Sequence, residues 1–190
     1  MILLVAATSA ELCGHPGLAC GVGPVDAAAA TARALARELP DGVLHFGLAG
    51  ALGLDPGALV VGTEAVYSDL AAGIPVVSRV EPDAWLLALA HEALPEAVSV
   101  PIVTSASVGR AGSDSAQSDP GGHVAVEAME GFAVLRACAL AGVPAVEVRA
   151  VSNAIGEEDR SRWEIGRGLE TLGGALPRLL AALGDGVTRP

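Results

Sequence analysis

The sequence predicts an α/β fold: three layers, with a central mixed β-sheet flanked by helices. Three observations carry that expectation. Short apolar runs of strand length alternate with stretches of helical periodicity. Gly, Pro, Asn or Asp punctuates most of the junctions. No internal repeat or linker-like stretch interrupts the alternation, so residues 1–190 are expected to form a single domain.

Residues 2–7, ILLVAA, read as a buried first strand. They lack a basic leading region, and the run is too short for a secretory signal. A short run at 18–22 leads into GVGPVDAAAATARALAREL, where Ala28, Ala32, Leu35 and Leu39 recur at helical spacing before Pro40. VLHFGLAG and ALVVGTEAVYSDL follow as strands, and IPVVS, 74–78, as a short one. PDAWLLALAHEAL reads as a helix with Asp83 near its start. VSVPIVTS is a strand, although Pro101 disfavours a fully hydrogen-bonded central position for that residue. Residues 109–122, GRAGSDSAQSDPGG, form a low-complexity stretch suited to a surface loop or a lid. GFAVLRACALAG is a helix ended by Gly142, and VPAVEVRAVSN is a strand. The C-terminal helix carries Ile165, Leu169, Leu172, Leu176 and Leu180 on one face, with Gly173, Gly174 and Pro177 expected to break or kink it.

Composition narrows the ligand. The net charge is −11, and all 11 basic residues are arginines. Such a chain repels nucleic acid and anionic membrane surfaces, so a small, near-neutral ligand is expected. No stretch reaches the ~20 apolar residues that span a bilayer. Cys13, Cys20 and Cys138 are odd in number and lack C-x-x-C spacing, which suggests reduced thiols in a cytoplasmic protein. The four histidines show no metal-ligand spacing, and neither a metal nor a cofactor is expected.

In α/β sheets, ligands sit at the carboxyl ends of strands. That rule points to residues 8–15, 21–23, 47–50, 104–109, 127–131 and 152–158. GVGPVDAA is a strand-to-helix turn whose glycines permit close backbone approach, but it lacks the third glycine of a dinucleotide fingerprint. His45 lies in an apolar run and reads as a core histidine. Glu11 follows the first strand, and Glu130 stands where a strand meets a helix. Glu147 and Arg149 alternate onto one strand face, as an ion pair would. Asn153 closes that strand.

Met129-Glu130-Gly131, followed about twenty residues on by Arg149-Ala150-Val151-Ser152-Asn153, resembles the purine nucleoside phosphorylase/nucleosidase superfamily. GVGPVDAA and HFGLAGALGLDPGALVVGTEAVYSD match two further landmarks of that superfamily. The resemblance implies cleavage of the N-glycosidic bond of a purine nucleoside. It assigns Glu130 to the ribose, with Met129 lining the sugar pocket, and Glu11 to the attacking water, with Arg149 nearby. Residue 153 then serves the leaving base, while Gly50 and Ser152 help bind the substrate and Glu127 either supports the site from behind or is structural. Phe46, Phe132 or a neighbouring subunit is expected to stack on the base, and Leu48 stands where the family often has serine. Family members usually form homo-oligomers, so a dimer or tetramer is implied.

Asn153 bears on the substrate. A carboxamide donates to N7 or O6 of a purine and accepts from N1–H, which favours a 6-oxopurine over adenine. Within the superfamily, Ser152-Asn153 resembles the branch that hydrolyses futalosine and releases hypoxanthine in menaquinone synthesis. Phosphorolysis would need cations around a phosphate dianion, and no arginine follows the first strand. Water is therefore the expected nucleophile. Arg110 is the candidate to meet an anionic 5′ substituent.

Overall fold

The computed structural model describes residues 1–70, 73–108 and 124–186. Along the chain run β1 (Ile2–Ala6), β2 (Leu18–Ala19), α1 (Pro24–Leu35), β3 (Gly42–Leu52), β4 (Leu59–Tyr67) and β5 (Arg79–Val80). Then come α2 (Ala84–Ala93), β6 (Val98–Thr104), β7 (Ala125–Ala128), α3 (Gly131–Ala141), β8 (Ala145–Ala154) and α4 (Ile165–Gly186). The sheet is mixed. β3 pairs in parallel with β1 and β8 but antiparallel with β7, and β4 runs parallel to β6 but antiparallel to β5 and β8. With β6 parallel to β7, pairing runs β3–β8–β4–β6–β7 and returns to β3, a closed ring of five strands.

Helices cover both sides, as the alternating pattern predicts. α2 and α4 pack on one side over Leu44, Phe46, Val146 and Val148. α1 and α3 pack on the other over Val5, Val43 and Ala145. A third cluster, with Ala49, Val60, Ile102, Val126 and Val151, joins strands of the ring.

Several boundaries differ from expectation for local reasons. α1 buries Ala27, Thr31 and Leu35 rather than the Ala28–Ala32 stripe, because an Ala-rich helix offers little hydropathy contrast between adjacent faces. It ends at Leu35, where Arg37 N turns to Ala34 O, and Leu39 is left exposed. Residues 74–78 form no strand: Ile74, Val76 and Val77 are exposed, and pairing begins only at Arg79. α4 is one continuous helix through Pro177. A proline ring crowds the carbonyl four residues back, and here that residue is Gly173. The buried stripe of Leu172, Ala175, Leu176, Leu179 and Leu183 holds the two halves on one core, while Ile165 is exposed. Pro101 falls where the β4–β6 register skips, between the Gly62–Val100 and Ala65–Ile102 pairs, so its missing N–H is accommodated at an irregularity. Asp83 caps α2 by accepting from Trp85 N and Leu86 N, and Gly142 ends α3 in the left-handed region at φ 69.

Candidate active site

A cavity of about 310 Å³ opens at the carboxyl ends of β1, β3 and β8, beside the β7–α3 junction. Its polar lining includes Glu11, Glu127, Glu130, Ser152 and Asn153. Apolar side chains of Val22, Val108, Met129, Trp163, Ile165 and Leu169 complete much of the wall.

Glu130 occupies the cap position of α3, yet its side chain makes no capping hydrogen bond. The second helical amide, Phe132 N, instead donates to Thr104 Oγ1 at 2.8 Å. The Glu130 carboxylate turns away, and its Oε1 accepts from Gly23 N at 3.0 Å. Gly23 has φ 94, a conformation that favours glycine, so the GVG turn presents a backbone donor to this acid.

Glu11 is 6% exposed and is held by three donors. Its Oε2 accepts from Thr8 N at 2.9 Å and Thr8 Oγ1 at 2.7 Å, and its Oε1 accepts from Leu48 N at 2.9 Å. A carboxylate offers about four lone-pair positions, so these bonds orient Glu11 and leave one on Oε1.

Between the two acids lies Arg149, fully buried. Its Nε donates to Glu147 Oε1 at 2.8 Å and its Nη1 to the Leu48 carbonyl at 3.3 Å. Its Nη2 meets His45 Nε2 and stands 3.6 Å from Glu130 Oε2. His45 Nδ1 lies 3.1 Å from the Val5 carbonyl, which can only accept, so Nδ1 carries the proton and Nε2 accepts from the guanidinium. Burial, then the Arg149 charge, holds the His45 imidazole well below its ordinary range despite the Val5 carbonyl. Burial likewise lifts the Glu147 carboxyl above its usual range, against the pull of Arg149. Burial alone would lower Arg149, but the charges of Glu147, Glu130 and Glu11 outweigh it and keep the guanidinium protonated. Two glycines make room for this group. A Cβ on Gly47 would stand 2.6 Å from Arg149 Nη1, and one on Gly131 would collide with the Glu147 carboxylate.

Consecutive strand residues face opposite sides, yet Ser152 and Asn153 both line the cavity. A register shift explains it. Ala49 pairs with Val151 and Gly50 with Asn153, so Ser152 is skipped. Ser152 Oγ donates to Asn153 Oδ1 at 2.7 Å, and Asn153 Nδ2 donates to the Ala154 carbonyl at 3.0 Å. One Nδ2 hydrogen and one Oδ1 lone pair remain for a ligand.

The fold thus brings Glu11, Gly50, Met129, Glu130, Ser152 and Asn153 to one cavity. Arg149 lies behind it rather than on its wall. Phe132 is not on the wall either; it stacks on Tyr67 with ring centroids 5.2 Å apart, and Phe46 is fully buried in the core. Among the described residues the aromatic on the wall is Trp163, fixed by its Nε1 donating to the Glu157 carbonyl at 3.0 Å. Sequence reasoning missed it, and it missed that Glu127 lines the cavity. Four successive residues, Glu127 through Glu130, line the cavity, so strand alternation alone could not single out Glu127. Arg110 and the 109–122 stretch lie outside the described residues, and among the described residues no arginine lines the cavity. Among the described residues no cluster of His, Cys, Asp or Glu suits a metal ion. Burial pushes the free thiols of Cys20 and Cys138 up to about 11 and about 12.

The family model of the phosphorylase superfamily matches residues 12–183, and the chain belongs to that superfamily. It is 35% identical to a futalosine hydrolase of Streptomyces coelicolor, over 87% of this chain and 78% of that protein. It is 33% identical to a futalosine hydrolase of Thermus thermophilus, over 93% and 85%. A 5′-methylthioadenosine/S-adenosylhomocysteine nucleosidase of Bacillus cytotoxicus is 30% identical, over 83% and 76%. Among solved structures, the native futalosine hydrolase of Helicobacter pylori superposes with a TM-score of 0.80 at 19% identity, covering 95% of this chain and 97% of that one. The Neisseria meningitidis methylthioadenosine/adenosylhomocysteine nucleosidase in complex with methylthio-immucillin-A gives 0.79 at 22% identity, over 97% and 98%. These likenesses establish the nucleoside phosphorylase-like fold, with its central mixed sheet and flanking helices.

Proposed function

We propose that this chain is an N-glycosidic hydrolase that cleaves futalosine into hypoxanthine and dehypoxanthinyl futalosine, a step of menaquinone synthesis. Its similarity to futalosine hydrolases supports the reading. The observation that carries it is the meeting of Glu11, Glu130 and Asn153 on one cavity.

The chemistry follows from charge. As the bond between ribose C1′ and purine N9 breaks, its electron pair leaves with the base and the sugar becomes oxocarbenium-like. Glu130 binds ribose hydroxyls and stabilises the developing positive charge. Glu11 orients the water that adds to C1′ and accepts its proton. The free Nδ2 hydrogen of Asn153 donates to O6 of the departing 6-oxopurine while its Oδ1 accepts from N1–H, or in the other orientation it donates to N7; the base leaves as its anion and takes its proton from solvent. Water rather than phosphate attacks, in keeping with a described wall that carries three buried acids, Glu11, Glu127 and Glu130, and no arginine.

The protein acts in the cytoplasm as a homodimer or tetramer. Val22, Val108 and Ile165 line the cavity and are 57%, 48% and 42% exposed, so a second copy would cover apolar surface at the mouth. The same apolar wall favours a second reading, a methylthioadenosine-type nucleosidase, whose 5′ substituent would suit Trp163, Ile165 and Leu169.

Base release from futalosine, inosine, methylthioadenosine and adenosylhomocysteine, followed by chromatography with and without phosphate, separates these readings. Hypoxanthine from futalosine without a phosphate requirement is the expected result. Adenine from methylthioadenosine would transfer the assignment to the second reading. Binding of purine nucleosides without release of any base would make the protein a nucleoside sensor.

A further inference from the structure

Glu147 has no place in the chemistry above. It is 1% exposed, it points into the protein from β8, and its Oε2 has no hydrogen-bond partner among the described residues. A buried ion pair is weak evidence for stability, since packed apolar residues do as well or better. Its placement matters more. Glu147 takes Arg149 Nε at 2.8 Å, whereas the Arg149–Glu130 separation of 3.6 Å is beyond hydrogen-bond range. Its carboxylate also lies against Gly131, the first residue of α3, where the partial positive charge of a helix start attracts an anion. Thr104 Oγ1 receives the Phe132 amide at the same helix end. Thr104 thus takes the amide that the cap residue, Glu130, would otherwise serve, and the Glu147 carboxylate adds charge beside it without a hydrogen bond to it.

We propose that Glu147 is a positioning residue that keeps Glu130 available to the ligand, by holding Arg149 away from it and by backing the start of α3. Among the described residues Glu130 is then left with one close protein donor, Gly23 N on Oε1, while its Oε2 faces a guanidinium that does not close on it. His45 adds to the restraint, because its Nε2 accepts one of the two Arg149 Nη2 hydrogens and draws that nitrogen toward β3. Without Glu147, the guanidinium loses its nearest anion and moves onto Glu130. A carboxylate engaged by arginine has fewer lone pairs for ribose hydroxyls.

The inference rests on the reading of Glu130 as the ribose-binding acid, and Glu147→Gln tests it by two independent readouts. A crystal structure of the variant is expected to show the Arg149–Glu130 distance falling to about 2.7–2.9 Å. With futalosine as the probe, kcat is expected to fall about 10²-fold, the scale of a misplacement near 1 Å. The acid limb of the kcat/KM profile should move to lower pH, because a negative neighbour is gone and a cation has come closer. The charged and titratable groups that interact with the Glu147–Arg149 pair or with one another around it are Glu11 from the turn after β1, Cys20 after β2, His45 on β3, Glu130 before α3 and Arg149 on β8. Cys20 and Arg149 keep their protons throughout the measured range, and His45 stays neutral, so the limb reports the acids.

Glu147→Asp keeps the charge but shortens the reach; it should return the acid limb toward the wild-type position while restoring kcat only in part. An Arg149 that stays in place in Glu147→Gln, with an unmoved acid limb, would overturn the proposal. If Glu147→Gln fails to fold, Glu147→Asp decides by itself: an unchanged Arg149–Glu130 distance with unchanged kcat refutes the positioning role. Should the wild-type protein release no base from any purine nucleoside, the functional reading falls, and the crystallographic distance still decides the positioning.

Discussion

Gly50 and Asn153 are register partners across β3 and β8, and they are so close that a Cβ on Gly50 would meet the Asn153 amide nitrogen at 3.0 Å. The carboxamide therefore has little freedom, and its free donor points where the bulge at Ser152 aims it. Selectivity should follow its chemistry. Asn153→Asp replaces the donor with an acceptor and should shift preference from 6-oxo toward 6-aminopurine nucleosides. Competition between inosine-type and adenosine-type substrates reads this out directly, and unchanged selectivity would remove residue 153 from base recognition. Gly50→Ala should push the same amide aside, lowering kcat/KM by up to about 10²-fold while the protein stays folded.

Glu130→Gln is expected to reduce turnover by roughly 10²–10³-fold, the scale of losing an electrostatic contact to the transition state. The fold should survive, because the side-chain carbonyl of glutamine can still accept from Gly23 N. Paired measurement of kcat and of the urea unfolding midpoint distinguishes the two effects. Full activity in a folded variant would mean that another group serves the sugar.

Gly47→Ala tests the crowding behind the site. The added Cβ would stand 2.6 Å from Arg149 Nη1 and 2.7 Å from Glu11 Oε1, two buried groups with little room to retreat. Overpacking of this kind costs about 1–3 kcal/mol. Activity should fall further than stability alone explains, since Glu11 is one of the displaced groups. Denaturant unfolding together with kcat checks both parts, and an active variant of native stability would show that the cluster yields freely.

What was legible in the sequence was what is local. Met129-Glu130-Gly131 and Arg149 through Asn153 are contiguous, and the strand–helix alternation put both motifs at strand ends. Pro101 signalled a break in pairing because a missing N–H is a local property. What required the structure depends on distant chain segments. Glu127 reaches the wall because β7 pairs with β3 at Gly50, a register that periodicity does not encode. Trp163 reaches it because the segment before α4 folds back, with Glu164 N donating to the Ser152 carbonyl. Arg149 was expected beside the water, but three partners on two strands hold it behind the wall. In α1, alanines on neighbouring faces hid which stripe turns inward.

His45 should make the protein labile to acid. Its folded-state imidazole is held far below the ordinary value of 6.5, first by burial and then by Arg149. The unfolded chain binds that proton more readily than the native one does. The stability it contributes is therefore present in full above about pH 6.5 and is lost progressively as pH falls toward the depressed native value, at up to about 1.4 kcal/mol per pH unit. Glu147 works in the opposite sense: its raised native value gives stability at low pH that is lost as pH rises from about 4.5. The two are separable by substitution. His45→Asn removes the titrating ring, so its unfolding free energy should fall less steeply than that of the wild type between pH 6.5 and 5.5. Urea denaturation at those two pH values checks this, and parallel slopes in the two proteins would mean that His45 accepts a proton without leaving the native state.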